Sequence, residues 1–511
     1  MTNILNWIDV GKVSAERDEL LSEYFYDNGV LRGVIDNPSA FLVLGRKGAG
    51  KTAVFRYFKE CYTKYLSEND ILVPLSFEDY NWSIHSLLQN PEFATSLIYK
   101  QSWRFVIVIE VIKAFTQWAE KHRKTIPKPI QQSNKLLHKL FNHPIPSIYE
   151  IIGKKLLSLS KFRLPKGGLN LDDGSLDSFE INAGEVSFES VRDSNDLQNQ
   201  LSRNIENLIK TLEEALESIR DLDCRIFLAF DRVDEAWDEI SIDSSKQVIA
   251  GLVSAADSIS STYQPFVRPI IFLREDIFEV LSLNDANKLR EDCGELLKWN
   301  RNSLFKLVLR RINYFASLNQ EEHIDDIDSL FDRKEMRQRT SPSNYLLKRS
   351  MMRPRDLICF IKKIITLMNE KSDDPFEETP SEFTQLIAEV IYEAEPSYSE
   401  WLKQELIDEW STQLPEITTL LDAIQNNGST NITRSSLIIE LEKLGVSLTE
   451  SEALQKLRFL FDNSIIGLKL GQSRQWRYKC FYPSQGFIDS DEYRVHDGLV
   501  RVLNLTEPRS E

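Results

Sequence analysis

Four short apolar runs frame the first half of the chain: Phe41 to Leu44 (FLVL), Ile71 to Phe77 (ILVPLSF), Ile226 to Phe230 (IFLAF) and Val267 to Leu273 (VRPIIFL). Each is too short for a helix and lacks the polar alternation of a half-exposed strand, so each predicts a buried strand. Between them apolar residues recur every three to four positions. That spacing predicts helices over TAVFRYFKECYTKYL after the first run, from about Asn199 to Ile219, and from Ser244 to Ser260. Strands alternating with helices predict an α/β core with a mainly parallel sheet.

An insertion interrupts this alternation from about Ser83 to Ser218. It contains a strongly apolar helix, Trp103 to Ala119, then basic amphipathic helices at Lys121 to Lys139 and Ile148 to Lys161, broken by Pro127, Pro129, Pro144 and Pro146. Lys166 to Ser190 is punctuated by Gly, Asp, Asn and Ser and predicts a small β-hairpin or a loop. Ahead of the first strand, SAERDELLSEYFYDNGVL predicts an amphipathic helix capped by Ser14, with Glu16, Asp18 and Glu19 in its first turn.

Beyond the core, Trp299 to Phe315 is amphipathic, with Leu304, Leu307, Val308, Arg311 and Ile312 at helical spacing. A further helix starts near Pro354, a residue suited to a first turn. Asp373 to Ser381 reads as a linker. After it Ser435 to Leu444, Glu450 to Asp462, IIGLKL, GQSR and QWRYKCFYP give helix, helix, strand, turn, strand, which predicts a C-terminal winged helix. The chain divides accordingly into 1–82 (N-terminal helix and first part of the core), 83–198 (basic helical insertion), 199–298 (rest of the core), 299–381 (helical lid and linker) and 382–511 (helical and winged-helix domain).

The chemistry concentrates at two strand ends. The turn after the first run has the form G-x-x-x-x-G-K-[ST], a P-loop built from Gly45, Arg46, Lys47, Gly48, Ala49, Gly50, Lys51 and Thr52, with Ala53 next. Its glycines let backbone N–H groups turn inward around an anion, and the following helix points the positive end of its dipole there. Lys51 is placed for the β- and γ-phosphates of ATP, and the Thr52 hydroxyl for Mg²⁺. The third run ends in Asp231, as a Walker B strand does, and an aspartate there is a second Mg²⁺ ligand. Asp234 and Glu235 follow in a short loop. Glu235 is the first choice for orienting the attacking water and Asp234 the reserve, while Asp238 and Glu239 suit a helix N-terminus. Arg274 at the end of the fourth run is placed to touch the γ-phosphate, with an ion pair to Glu275 or Asp276 as its structural alternative. Arg353 and Arg355, at the start of the Pro354 helix, are candidates for a phosphate clamp. Arg310 and Arg311 are candidates for an arginine finger, although surface or ion-pair roles suit them better.

Composition narrows the partners. With 511 residues, 42% hydrophobic and 27% charged, the chain is long enough for two or three domains of a soluble protein. No apolar stretch reaches the length of a membrane span and the start, MTNILNWIDVGK, is polar, so the expectation is a cytoplasmic protein that engages no membrane. The five cysteines and six histidines are scattered, which predicts reduced core cysteines and no metal cluster beyond nucleotide-bound Mg²⁺. A net charge of −16 argues against coating of DNA by the whole surface. Residues 100–166 nevertheless carry fourteen Lys or Arg against three Glu, so this window is where a nucleic acid would bind. The terminal wing, with Arg474, Arg477 and Lys479, is a second candidate. Against it, Glu440, Glu442, Glu450 and Glu452 make the neighbouring helices acidic and favour partner docking or dimerisation.

The segments DVGKVSAERDELLSEYF, GRKGAGKTAVFRYF, FDRVDE, IIFLREDIFEVL, RPRDLICFI, WRYKCFYP and EYRVHDGLVRVL resemble a family of prokaryotic P-loop ATPases named after one uncharacterised locus. That family is allied to the signal-transducing STAND class, which includes NACHT proteins, and to the KAP ATPases. The resemblance implies an ATP-dependent switch, often in accessory or antiphage-defence loci, that couples nucleotide state to a homo-oligomer or an effector protein. Asp231, Asp234 and Glu235 match the NACHT-type acidic form, and Arg232 departs from the adjacent aspartates of the KAP form. The function expected is Mg-ATP binding with slow hydrolysis to ADP. Its rivals are an initiator-like nucleic-acid loader and a scaffold that holds nucleotide without turnover.

Overall fold

The computed structural model describes residues 3–77, 95–141, 159–161, 190, 194–235, 242–373, 383–471 and 475–507. The chain forms two units that are not consecutive in sequence. One comprises Asp27–Arg46 and Lys51–Leu297, the other Met1–Tyr26, Lys47–Gly50 and Lys298–Glu511. The expected helix at Ile148 to Lys161, the hairpin or loop at Lys166 to Ser190 and the linker at Asp373 to Ser381 fall wholly or largely outside the described residues, as do Asp238, Glu239 and Arg474.

The first unit is built on five strands: β1 (Leu42–Gly45), β2 (Ile71–Ser76), β3 (Ile226–Asp231), β4 (Val267–Arg274) and β5 (Gly294–Leu296). Their order is β2-β3-β4-β1-β5 and every pairing is parallel. The central strands β1, β3 and β4 are buried along their whole length, which is why they read as unbroken apolar runs. β2 lies at the end of the sheet and contains Pro74, which has no N–H to donate.

The helices α1 (Lys51–Cys61), α2 (Thr95–Lys121), α3 (Lys128–Phe141), α4 (Asn195–Glu217) and α5 (Ile242–Tyr263) complete this unit. From Phe105 to Thr116 every residue of α2 is buried, as expected of a helix that is apolar all round. Trp103 donates its indole N–H to the Val248 carbonyl of α5 at 3.0 Å. The basic helix expected from Lys121 to Lys139 is instead the end of α2, a turn with Arg123 at a left-handed φ of 53°, and α3, whose start at Lys128 is set by Pro127 and Pro129. Two cations of the basic window are engaged by carboxylates. Lys113 pairs with Glu110 at 2.7 Å, both buried, and Arg104 pairs with Glu213.

The second unit carries α6 (Arg301–Leu318), α7 (Pro342–Arg349), α8 (Pro354–Asp373), α9 (Val390–Trp410) and α10 (Ile417–Asn427). Asn300 and Ser303 form a reciprocal cap at the start of α6. Next come β6 (Asn431–Ile432), α11 (Arg434–Lys443), α12 (Glu450–Asp462), β7 (Ile466–Leu468) and β8 (Tyr493–Val495), with an antiparallel sheet in the order β6-β8-β7. The expected strand at QWRYKCFYP does not form. Only Arg477 makes a bridge, to Leu468, and Tyr493–Val495 takes the place beside β7.

The expected N-terminal helix is also replaced. Its residues form a 3₁₀ turn at Ala15–Arg17, a single α-turn at Leu21–Tyr24 and, past Gly29 at φ 93°, a helix at Val30–Asp36. Ser14 caps nothing and instead donates to Glu16 at 2.5 Å. The cause is Asp18, which is 2% exposed and accepts from the Tyr24 hydroxyl while facing Arg311 at 3.3 Å. Arg311 also donates to the Val10 and Lys12 carbonyls at 2.8 and 3.1 Å. It is thus committed to buried structure, and the finger reading does not hold for it.

His496 follows β8 and is fully buried, accepting from the Gly498 N–H through Nδ1 at 3.1 Å. Burial pushes its imidazole down to about 3, with Arg349 and Arg353 adding to the shift. An unfolded histidine protonates near 6.5, so as pH falls through that value only the unfolded chain gains the proton and stability drops. Urea midpoints should therefore fall below about pH 6, and His496→Gln should flatten that part of the profile. An unchanged slope in the variant would assign the acid loss to other groups.

Candidate functional site

The parallel sheet places the ends of β1, β4 and β3 on one edge. Gly45 pairs in register with Arg274, and Phe230, next to Asp231, pairs with Ile271. Ligands of open α/β sheets bind beyond the carboxyl ends of such strands. β4 lies between β3 and β1, so Arg274 ends the strand next to that of Gly45.

The loop from β1 to α1 turns on Gly48 and Gly50, at φ 76° and 100°. Both conformations are left-handed and suit glycine, and they aim consecutive N–H groups to one side. Lys51 is half-buried and donates from Nζ to the Gly45 carbonyl at 3.0 Å and the Arg46 carbonyl at 3.3 Å. Burial lowers its ammonium below the usual value. Asp234 opposes that shift more than any other group, ahead of Asp276 and Asp231.

Within the second unit, the Ala49 carbonyl accepts from Trp299 Nε1 at 2.8 Å and the Lys47 carbonyl from Arg353 Nη1 at 3.4 Å. Sequence reasoning gave Trp299 no role. Its only signal was a lone tryptophan directly before a helix cap.

Asp231 ends β3 and is 2% exposed. Burial, then the charge of Asp234, pushes its carboxyl up to about 7, while the Arg232 N–H and the Lys51 charge pull against that rise. A carboxylate so poor in solvent is suited to a divalent cation, whose charge replaces the lost hydration. Arg232 adopts a left-handed φ of 60°, and the 3₁₀ turn Val233–Glu235 follows. Glu235 pairs with Arg232 at 3.4 Å, so of the two candidate carboxylates Asp234 acts more strongly on Lys51 and Asp231.

Arg274 is 9% exposed and held by both oxygens of Asp276, at 3.2 and 2.8 Å, the ion-pair alternative expected from sequence. Arg353 is buried between Asp356 (3.1 Å) and Glu409 (2.8 Å), and Arg355 pairs with Glu405 at 2.9 Å. The two arginines read as phosphate clamps are therefore each engaged by carboxylates of their own unit.

These residues fit a magnesium nucleotide. The loop amides and Lys51 would take its phosphates, and the Thr52 hydroxyl and Asp231 carboxylate would take the cation, which needs few protein ligands when phosphates supply the rest. Among the described residues no helix is long and apolar enough to cross a membrane.

Residues 302–407, from α6 into α9, match the FunZ-associated C-terminal helical domain. Over 528 aligned residues the chain is 24% identical to the putative transposon gamma-delta 80.3 kDa protein of Escherichia coli (strain K12), covering 97% of this chain and 67% of that protein. Among solved structures, Cdc6p from Pyrobaculum aerophilum is similar at a TM-score of 0.30 and 12% identity, covering 98% of this chain and 95% of that one, a likeness too weak to carry fold or function over.

Proposed function

We propose that the chain binds Mg-ATP at Gly45 to Thr52 and Asp231, hydrolyses it slowly, and uses the difference between ATP and ADP to switch its association with itself or with an effector. The observation that carries this reading is the sheet edge shared by Gly45, Asp231 and Arg274, at which the Asp231 carboxylate is buried. Lys51 neutralises phosphate charge and Arg274 reports on the terminal phosphate. Asp234 orients the attacking water, since Glu235 is engaged by Arg232. A switch of this kind works only through unequal contacts with the two nucleotides. The family resemblance suggests a defence or accessory setting, and a curated relative is named for a transposon.

The test is nucleotide binding and phosphate release by the full chain. Lys51→Ala should abolish binding. Asp234→Ala should keep binding but lose turnover by about a hundredfold or more, and Glu235→Ala should lose less. Equal losses from both carboxylate variants would reject the choice of Asp234. Nucleotide retained with no turnover in any condition would identify a scaffold.

A second reading, an initiator-like loader, draws support from the order β6-α11-α12-β7-β8 if these elements act as a winged helix. It requires DNA binding that weakens steeply with salt.

A further inference from the structure

The middle of the glycine turn, Lys47–Gly50, belongs to the second unit. Side chains of that unit reach its backbone at two carbonyls. Trp299 Nε1 donates to the Ala49 carbonyl at 2.8 Å and Arg353 Nη1 to the Lys47 carbonyl at 3.4 Å. These are the peptides that directly precede the two glycines at positive φ, Gly48 at 76° and Gly50 at 100°. In a planar trans peptide the C=O and the N–H that follows it point in opposite directions. A donor that holds the Ala49 carbonyl therefore aims the Gly50 N–H the other way, and one on the Lys47 carbonyl does the same for Gly48.

Glycine creates the need for such anchors. It takes positive and negative φ about equally readily, so a peptide plane beside it can turn over when ψ of the preceding residue and φ of the glycine change together. One orientation offers an N–H to a phosphate, and the other offers a carbonyl oxygen that repels it. The donors are themselves fixed. Trp299 packs on the core of its unit, with its ring 6.1 Å from that of Tyr26, and directly precedes the reciprocal cap of α6. Arg353 is 6% exposed, and its charge is met by Asp356 and Glu409. A β-carbon at Gly48 would lie 3.4 Å from the Arg353 Cδ, so the turn runs along the arginine stem.

We propose that Trp299 and Arg353 are positioning residues for the nucleotide, which hold the Lys47–Gly48 and Ala49–Gly50 peptides with the two glycine N–H groups facing the phosphates. The assignment rests on the nucleotide reading above and gives Arg353 a role in it other than that of a clamp: the arginine acts on the loop, and the loop on the phosphate. Loop amides cradle the α- and β-phosphates, which ADP and ATP share. Disturbing them weakens both nucleotides alike, whereas losing a side chain that touched the γ-phosphate would weaken ATP alone.

Calorimetric titration of the full chain with Mg-ADP and with a non-hydrolysable Mg-ATP analogue tests this. Trp299→Phe, which keeps an aromatic ring and removes the donor, should weaken both about tenfold. Steady-state phosphate release should show the loss in KM rather than kcat, the pattern of an interaction that is equal in ground and transition states. Arg353→Lys keeps a charge for Asp356 and Glu409 but loses the fork that also reaches the loop. It should weaken both nucleotides by a common factor, and it carries the test if the tryptophan variant does not fold. Wild-type affinity in Trp299→Phe, or a loss confined to the ATP analogue in Arg353→Lys, would overturn the assignment while leaving the nucleotide reading in place. A wild-type chain that takes up neither nucleotide would overturn both.

Discussion

Asp231→Asn should make the nucleotide-free protein more stable at about pH 8 while erasing the stabilisation that Mg-ATP brings. The buried Asp231 carboxyl titrates at about 7 in the folded chain against 3.8 ordinarily. Between those values the folded state holds a proton that the unfolded state has released, so stability falls as pH rises through the window. By about pH 8 the full cost is present, on the order of 2–4 kcal/mol at most. Asparagine is nearly the same size and carries no charge, so it removes this cost and should match wild type near pH 4, where both side chains are neutral. Without the carboxylate the cation loses a ligand, and added Mg-ATP should raise the melting temperature far less than in wild type. Melting curves at the two pH values, with and without Mg-ATP, read both effects. A variant less stable than wild type at the higher pH would show that Asp231 is held by partners that favour its charge.

Arg268→Met should cost about 3–5 kcal/mol of stability, a size expected for a buried charged group whose partners are left unmatched. Arg268 lies inside β4 and is 1% exposed. It donates to the carbonyls of Val34 at 2.6 Å, Asn37 at 2.8 Å and Ile35 at 3.4 Å. Those carbonyls end the helix Val30–Asp36, where the dipole is negative, and the Phe227 ring lies 5.4 Å from the guanidinium. Burial, with Arg225 adding to it, lowers the group to about 10, still charged at neutral pH. Methionine fills much of the volume but deprives the carbonyls of the buried Val34 and Ile35 of the guanidinium, while the Asn37 carbonyl keeps the Ala40 N–H at 3.1 Å. Arg268→Lys should recover only part of the loss, because one ammonium cannot reproduce the planar fork. Urea denaturation of the three proteins measures the series. A methionine variant within about 1 kcal/mol of wild type would mean that water replaces the guanidinium at little cost.

The same chemistry separates what was readable in the residues from what was not. The turn from Gly45 to Thr52 and the acidic end of β3 were legible because their causes are local: an unbroken apolar run, glycines where φ is positive, and an acid at the next position. The mainly parallel sheet was legible for a similar reason, since fully buried parallel strands carry no polar alternation. Arg268 was not, because a charged residue in an apolar run has no local explanation and its partners lie at the end of a helix far earlier in the chain. The N-terminal segment misled for the opposite reason. Its apolar spacing fits a helix, yet Asp18 is drawn inward by Arg311, and a buried ion pair outweighs a weak local propensity.

The sequence by itself determined the four strands β1 to β4, most of the helices and the two strand ends that would hold a phosphate and its cation, since backbone preference and apolar periodicity act over a few residues. Only the tertiary structure decided where the buried charges went: Asp276 on Arg274, Asp18 on Arg311, and the Val34 to Asn37 carbonyls on Arg268. A charge taken out of water must find its counterpart wherever the chain brings one within reach, and that distance in space is not written in distance along the sequence.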